Sequence, residues 1–166
     1  ALAERLGATG LDTGTPEKMN ASAYQLRNAY GFAATKHILD LAFAFCRARG
    51  KELMILLLCP TATWELLSDK PRYDQEIAEY LAARRFPHFD MNPVHLCDYR
   101  NFNLSIDDYL KRYFIGHYSP AGNHFFAYSI KDVIVQWMEP KPITYRDDGS
   151  RSVDFAGYLP GHDGRG

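Results

Sequence analysis

The residues best suited to chemistry lie in one run of the chain, Gly116-His-Tyr-Ser-Pro-Ala-Gly-Asn-His-Phe-Phe-Ala127. In this run His117 directly precedes a predicted helix, which Ser119 can cap and whose first position suits Pro120, since no N–H is needed there. An imidazole held in such a loop can act as a general base near neutral pH. The run therefore predicts proton transfer at His117, and the alternative is a structural histidine hydrogen-bonded to a backbone carbonyl.

Composition limits the classes of protein to consider. The chain has 166 residues, of which 46% are hydrophobic, and this is enough for one compact core. Nineteen basic residues against 20 acidic ones leave a net charge of -1, and the sequence has no basic stripe that would follow a phosphate backbone. We therefore do not expect nucleic acid as a partner. No apolar stretch is long enough to span a membrane and no targeting signal is visible, so localisation stays open. Three cysteines at unrelated spacings predict free, buried thiols.

The hydrophobic pattern predicts alternating helices and strands. A long helix is expected from Asn20 to Arg49, because Ile38, Leu41, Ala42 and Phe45 share a helical spacing. The apolar run from Leu53 to Cys59 follows and predicts a strand buried on both faces, which Pro60 ends. A further helical pattern over Tyr73–Leu81 and a short strand over Phe86–Met91 continue the alternation. We therefore expect an α/β fold with a parallel sheet flanked by helices.

The ends of the chain carry weaker signals. Residues 1–19 contain three glycines and a proline and predict an irregular lead-in. Ser105-Ile-Asp-Asp108 matches a capping box that opens a short helix to about Arg112. After the last helix, residues 146–166 lack periodicity and predict a flexible tail.

Taken together, these segments resemble the second half of an SGNH hydrolase, the family of GDSL-type esterases and acyl hydrolases. The resemblance covers about residues 20–145, and its specific part is His117-Tyr-Ser-Pro-Ala-Gly-Asn-His124, which is similar to the block that carries the catalytic histidine in that family. It implies a three-layer, flavodoxin-like sheet and makes His117 the general base of a serine nucleophile. It implies no metal and no organic cofactor, and it makes His124 a packing residue.

The sequence departs from the family pattern at the other catalytic positions. Phe114 and Ile115 stand where the family has an aspartate that orients the histidine. Asp107 and Asp108 are weak candidates for this acid, and a capping role explains them better. No Gly-Asp-Ser block or Gly-x-Ser-x-Gly elbow is present, and Thr13 in Asp12-Thr13-Gly14 is a poor substitute. The nucleophile, and the donors of the oxyanion hole, are therefore expected outside this chain, and we expect the isolated chain to be inactive as an esterase.

These departures lead to two expectations about the whole molecule. The chain begins with Ala1 rather than Met, and we expect it to be the C-terminal half of an incomplete SGNH-like domain that pairs as a homodimer to cover its free strand edge. If it is catalytic, its substrate is a small ester or an acylated carbohydrate. The alternative is a non-catalytic binding or assembly domain of the same fold, which Phe114 and Ile115 favour.

The remaining candidate residues have simpler interpretations. His88, Asp90, His95 and Cys97 do not have the spacing of a standard zinc site, so we do not expect a metal there. Tyr113, Phe114 and Tyr118 are expected to belong to the core, with a binding cleft as the alternative.

Overall fold

The computed structural model describes residues 2–141 of the chain, and it divides them into two compact units, one up to residue 124 and one from residue 125. The expected flexible tail over 146–166 lies outside the described residues. Helices dominate, and their bounds are α1 Leu2–Arg5, α2 Pro16–Arg47, α3 Pro60–Leu67, α4 Gln75–Ala83, α5 Asn92–Tyr99, α6 Ile106–Tyr113 and α7 Pro120–Trp137. Two short strands, β1 Ile55–Leu57 and β2 His88–Asp90, complete the elements.

The long helix α2 begins four residues before the expected start at Asn20. The Thr15 hydroxyl accepts a hydrogen bond from the N–H of Lys18 at 3.3 Å, and Pro16 occupies the first turn. Thr15-Pro16 is therefore an ordinary helix start. It was not predicted because the nearby glycines indicated an irregular segment. The irregular lead-in is accordingly shorter than predicted and also contains the single turn α1.

The buried face of α2 is not the one that the sequence pattern selected. Ile38, Leu41 and Phe45 are exposed, whereas Phe43 is buried and Phe32 and Leu39 pack beside it. Both sets have helical spacing, so periodicity predicted the helix but could not tell which side faces the core.

The two strands pair in parallel, as expected, with Leu56 opposite Phe89. The core on one side of the sheet consists of Phe43, Ile77, Leu81 and Phe86, with Ile55 and Leu57 packed against it. The rings of Phe43 and Phe86 stack with centroids 3.6 Å apart. Leu56 and Leu58 alternate with these residues along the strand and are each 43% exposed, so the expected burial of both faces is not observed. Over residues 2–141 the fold is thus largely helical, with one small parallel sheet.

Two helices, α3 and α5, were not expected from the pattern. Pro60 ends the strand, as predicted, but it is also the first residue of α3, and Pro93 lies in the first turn of α5 in the same way. Helix α3 packs against α5 and α6. Each helix therefore follows a strand directly, which places α3 and α5 at the carboxyl ends of the two strands.

The predicted starts of α6 and α7 are confirmed. The N–H of Asp108 donates to the Ser105 hydroxyl at 3.1 Å, and the N–H of Gly122 donates to the Ser119 hydroxyl at 3.1 Å.

Within residues 2–141, none of the helices is both long and apolar enough to span a membrane.

Candidate functional site

A tight turn between α6 and α7 carries His117. Phe114 and Tyr118 face each other in an antiparallel bridge, and the N–H of Ile115 donates to the carbonyl of His117 at 2.7 Å. Gly116 has φ +92°, a conformation that side chains with a Cβ rarely adopt. This turn holds the backbone on both sides of His117.

The His117 side chain is exposed, and one of its ring nitrogens is bonded to the backbone. Its Nδ1 lies 2.9 Å from the carbonyl oxygen of Tyr118. A carbonyl can only accept a hydrogen bond, so Nδ1 carries the proton in the neutral ring and Nε2 carries the lone pair. This tautomer leaves Nε2 able to accept a proton from a donor outside the turn.

The first turn of α7 packs closely on this loop. The Ser119 hydroxyl caps α7 and donates to the carbonyl of Arg112 at 3.1 Å, while the Ser119 N–H donates to the carbonyl of Tyr113 at 2.8 Å. A Cβ at Gly122 would lie 2.3 Å from that Tyr113 carbonyl oxygen and 2.6 Å from the Tyr118 ring. Only glycine fits at this position, which gives the glycine of the His-x-x-x-x-Gly pattern a packing role.

Beneath the turn lies a completely buried histidine, His95, at which phenol hydroxyls meet. Its Nε2 is 2.8 Å from the Tyr118 hydroxyl and its Nδ1 is 3.0 Å from the Tyr109 hydroxyl. The rings of Tyr113 and Phe114 lie within 5.5 Å of its ring centroid. Burial lowers the pKa of His95 to about 4, an effect that the nearby Asp98 partly opposes, so the ring is neutral at neutral pH.

Asp98 accepts hydrogen bonds from two of the phenols in this cluster. Its Oδ2 lies 3.0 Å from the Tyr109 hydroxyl and 2.9 Å from the Tyr113 hydroxyl. Burial raises the pKa of Tyr109, and the hydrogen bond to Asp98 adds to this effect. These phenols are therefore neutral donors, and Tyr113, Phe114 and Tyr118 form a packed cluster around His95.

The two aspartates considered as orienting acids lie at the other end of α6. Asp108 accepts a hydrogen bond from the Ser105 hydroxyl at 2.7 Å, and this contact, helped by Lys111, lowers the pKa of its carboxyl group. Asp107 is exposed in the same first turn. His117 follows the C-terminal end of α6, and its Nδ1 bonds to a carbonyl. The structure therefore does not bring these aspartates to His117.

A second polar cluster lies where the two strands end, the place at which open α/β sheets often bind ligands. The buried Arg72 guanidinium bonds to both oxygens of Asp74, at 2.6 and 2.9 Å, and to Asp90. The hydrogen bond to Asp74 chiefly raises the pKa of Arg72, and Asp90 adds to it. The other oxygen of Asp90 accepts from the Asn92 N–H at 3.0 Å.

Asn92 continues this cluster to the start of α3. Its side-chain oxygen accepts from the Thr63 hydroxyl at 2.9 Å and from the Cys59 N–H at 3.3 Å. In the described part of the chain, every buried side-chain nitrogen and oxygen has a hydrogen-bond partner. The cluster therefore serves to connect the strand ends with the helices that follow them.

The other candidates lie apart from both clusters. His88 bonds to the Phe86 carbonyl at 2.8 Å, and His124, expected to pack, is exposed. Thr13 is exposed in the lead-in. All three cysteines are free, as predicted, but none is buried, since Cys46 and Cys59 are partly exposed and Cys97 is exposed. Residues 2–141 contain no group of three or more histidine, cysteine or acidic side chains that could hold a metal ion.

The sequence analysis did not predict that His95 and Asp98 belong to one buried cluster. His95 and Asp98 are three residues apart, which places them on one face of α5, and Tyr109 and Tyr113 share one face of α6 in the same way. The spacing is visible in the sequence, but the only function considered for His95 was that of a metal ligand.

No protein-family model, curated protein or solved structure matches the chain.

Proposed function

We propose that this chain carries the histidine block of an SGNH-type serine ester hydrolase, in which His117 is the general base. The bond between Nδ1 and the Tyr118 carbonyl is also the one that a structural histidine would make, so the observation that supports the proposal best is that this imidazole is exposed. In the neutral ring this arrangement leaves the lone pair on Nε2, and a serine hydroxyl needs such an acceptor in order to become nucleophilic.

In the proposed reaction, Nε2 of His117 takes the proton of a serine hydroxyl as its oxygen attacks an ester carbonyl. The resulting imidazolium then gives that proton to the departing alkoxide, and an acyl-serine forms. Water, activated by the same nitrogen, releases the acid and restores the serine. No Gly-Asp-Ser block is present in these 166 residues, so the proposal assigns the serine to no residue of this chain.

In this proposal, the Tyr118 carbonyl takes over the orienting role of the missing aspartate. It holds Nδ1–H and therefore the tautomer, which is one of the two functions of the acid in a serine triad. It carries no full negative charge, so it stabilises the imidazolium less than a carboxylate does. We expect a slower enzyme than one with a complete triad.

The test compares hydrolysis of an activated aryl ester, such as p-nitrophenyl acetate, by the wild-type chain, by His117→Ala and by His124→Ala. His124 is the matched control, because it is a second exposed histidine seven residues along the chain. Because the chain alone supplies no nucleophile serine, the activity tested is the slow hydrolysis in which Nε2 of His117 activates water directly. We expect the wild type and His124→Ala to exceed the background rate by the same small factor and His117→Ala to fall to it. Equal background rates in all three proteins would remove the catalytic role of His117 in this chain.

A second candidate function is a non-catalytic binding domain of the same fold. It is favoured by Phe114 and Ile115 at the acid positions, where Phe114 stacks on Tyr118 at 4.6 Å and Ile115 is exposed. This alternative predicts that an acetylated oligosaccharide binds wild type and His117→Ala equally well and is recovered unhydrolysed. Calorimetry followed by mass spectrometry of the sugar distinguishes it from the esterase.

We further propose that the chain pairs as a homodimer through the edge of β1. The Ile55 N–H and the Leu57 carbonyl bond to the β2 side, so in a parallel ladder the backbone groups of Leu56 point to the opposite edge. Exposed Leu56 and Leu58 line the same strand. Light scattering should give twice the chain mass for the wild type and the chain mass for Leu56→Lys. A wild-type monomer that unfolds cooperatively would contradict the dimer.

A further inference from the structure

The buried cluster around His95 forms a chain of hydrogen bonds whose direction can be deduced. The Tyr109 hydroxyl has one hydrogen, and two groups on α5 are placed to accept it, the His95 carbonyl at 3.1 Å and the Asp98 carboxylate at 3.0 Å. With its hydrogen donated there, the Tyr109 oxygen is free to accept from Nδ1–H of His95. Nε2 of His95 then accepts from the Tyr118 hydroxyl.

This chain ends at the residue that holds His117. Tyr118 is bonded to His95 through its hydroxyl and to His117 through its carbonyl, and its ring also packs on Phe114 and against Gly122. The bond to His95 fixes the far end of the Tyr118 side chain and so limits how far the Tyr118 Cα can move. The peptide plane that carries the Tyr118 carbonyl is held as well by the Ser119 N–H, which donates to the Tyr113 carbonyl at 2.8 Å. The buried face of the turn is therefore linked to the group on its exposed face through one residue.

We propose that His95 is a positioning residue for His117 and acts through Tyr118. The relay Tyr118–His95–Tyr109–Asp98 holds the Tyr118 carbonyl where it selects the Nδ1–H tautomer of His117. The importance of this relay for ester hydrolysis rests on the proposed function, but the coupling between the two histidines does not. No ligand or partner is needed for it.

The low pKa of His95 is consistent with this role. A neutral ring can accept at Nε2 and donate at Nδ1 at once, whereas a protonated ring could only donate and would lose the Tyr118 hydroxyl as a donor. Burial, which keeps the ring neutral, thus also keeps the direction of the relay.

The test uses ¹⁵N NMR of the histidine side chains, which distinguishes the two neutral tautomers. In the wild type we expect both His95 and His117 as Nδ1–H tautomers. Tyr118→Phe keeps the ring and the backbone carbonyl but removes the hydroxyl that bonds to His95. We expect the ratio of Nδ1–H to Nε2–H tautomer at His117 to fall roughly 2- to 10-fold, the range that weakening one ordinary hydrogen bond gives.

Tyr113→Phe is the matched control. It removes a phenol hydroxyl from the same buried cluster and from the same carboxylate, but this hydroxyl is not part of the relay to Tyr118. We expect the His117 tautomer ratio to stay at the wild-type value in this variant. A second variant, His95→Gln, interrupts the relay at its centre and should lower the ratio as Tyr118→Phe does.

Several results would overturn the positioning role. One is an unchanged His117 ratio in folded Tyr118→Phe or His95→Gln, and another is an equal fall in Tyr113→Phe. Should neither relay variant fold, an Nε2–H tautomer of His95 in the wild type would still contradict the deduced direction. Activity separates this inference from the proposed function. If hydrolysis depends on His117 but the His117 tautomer ratio does not respond to the relay variants, only the relay is refuted. If the ratio responds but no hydrolysis is found, only the esterase proposal is refuted.

Discussion

Replacement of Gly122 by alanine should destabilise the chain, although alanine is the better helix former. The added Cβ would lie 2.3 Å from the carbonyl oxygen of Tyr113 and 2.6 Å from the ring of Tyr118. The first of these atoms belongs to the backbone and cannot rotate away. Helix α7 must therefore move away from the turn that carries His117.

The magnitude follows from three contributions. Overpacking of this kind costs about 1–3 kcal/mol. The displacement also weakens the hydrogen bond from the Ser119 N–H to the same Tyr113 carbonyl, now 2.8 Å long, which costs about 1 kcal/mol. The higher helix propensity of alanine returns about 1 kcal/mol. We expect Gly122→Ala to lower the free energy of unfolding by about 1–3 kcal/mol.

The matched control is Gly31→Ala in the middle of α2. Gly31 is also a helical glycine, but nothing lies within 4 Å of a Cβ built there. The same substitution should therefore stabilise the chain by about 0.5–1 kcal/mol, because only helix propensity changes. Opposite signs at the two sites separate packing from propensity.

Urea denaturation followed by far-UV circular dichroism measures both variants, with equal m-values as the check that only stability has changed. The argument would be refuted if Gly122→Ala were as stable as the wild type while Gly31→Ala gained the expected amount. The close contact between the first turn of α7 and the His117 turn would then not exist.

Two further predictions concern buried ionisable side chains. Arg72→Met leaves Asp74 and Asp90 without their common partner and should lower the free energy of unfolding, measured by urea denaturation, by about 3–5 kcal/mol. The control is Arg84→Met, in an exposed ion pair, which should lower it by at most about 1 kcal/mol. Equal losses in the two variants would contradict the buried role of Arg72. His95 has a folded-state pKa of about 4 against 6.5 in the unfolded chain, so the unfolded state binds more protons between these values. Its contribution is therefore complete above about pH 6.5 and is lost as pH falls towards 4, by at most roughly 3 kcal/mol. His95→Gln should flatten the rise of unfolding free energy with pH in this window, and an unchanged slope would show that His95 is not buried as described.

Local signals in the sequence predicted several elements correctly. The Ser105–Asp108 box and the Ser119-Pro120 pair mark the starts of α6 and α7, because capping involves residues within one turn of each other. The two apolar runs predicted β1 and β2, and their parallel pairing follows from the helices between them. Pro60 shows the limit of such signals, since the same proline ends a strand and begins a helix.

The candidate site was only partly predictable. The His117 run identified the histidine and its place before α7, but not the partner of Nδ1, which is the carbonyl of the next residue in a turn closed by the bridge between Phe114 and Tyr118. The buried role of His95 was not predicted, because its partners Tyr109 and Tyr118 lie 14 and 23 residues away and meet it only in the folded chain. No periodicity within one element contains that information.

The sequence by itself thus determined four of the helices (α2, α4, α6 and α7), the two strands and the place of His117 just before α7, because these signals come from residues close together in the chain. Only the tertiary structure decided which face of α2 is buried, why Gly122 must be glycine and how His95 reaches Tyr118. These depend on distances between segments far apart in the chain, where burial and steric exclusion select one arrangement among several that local preferences allow equally.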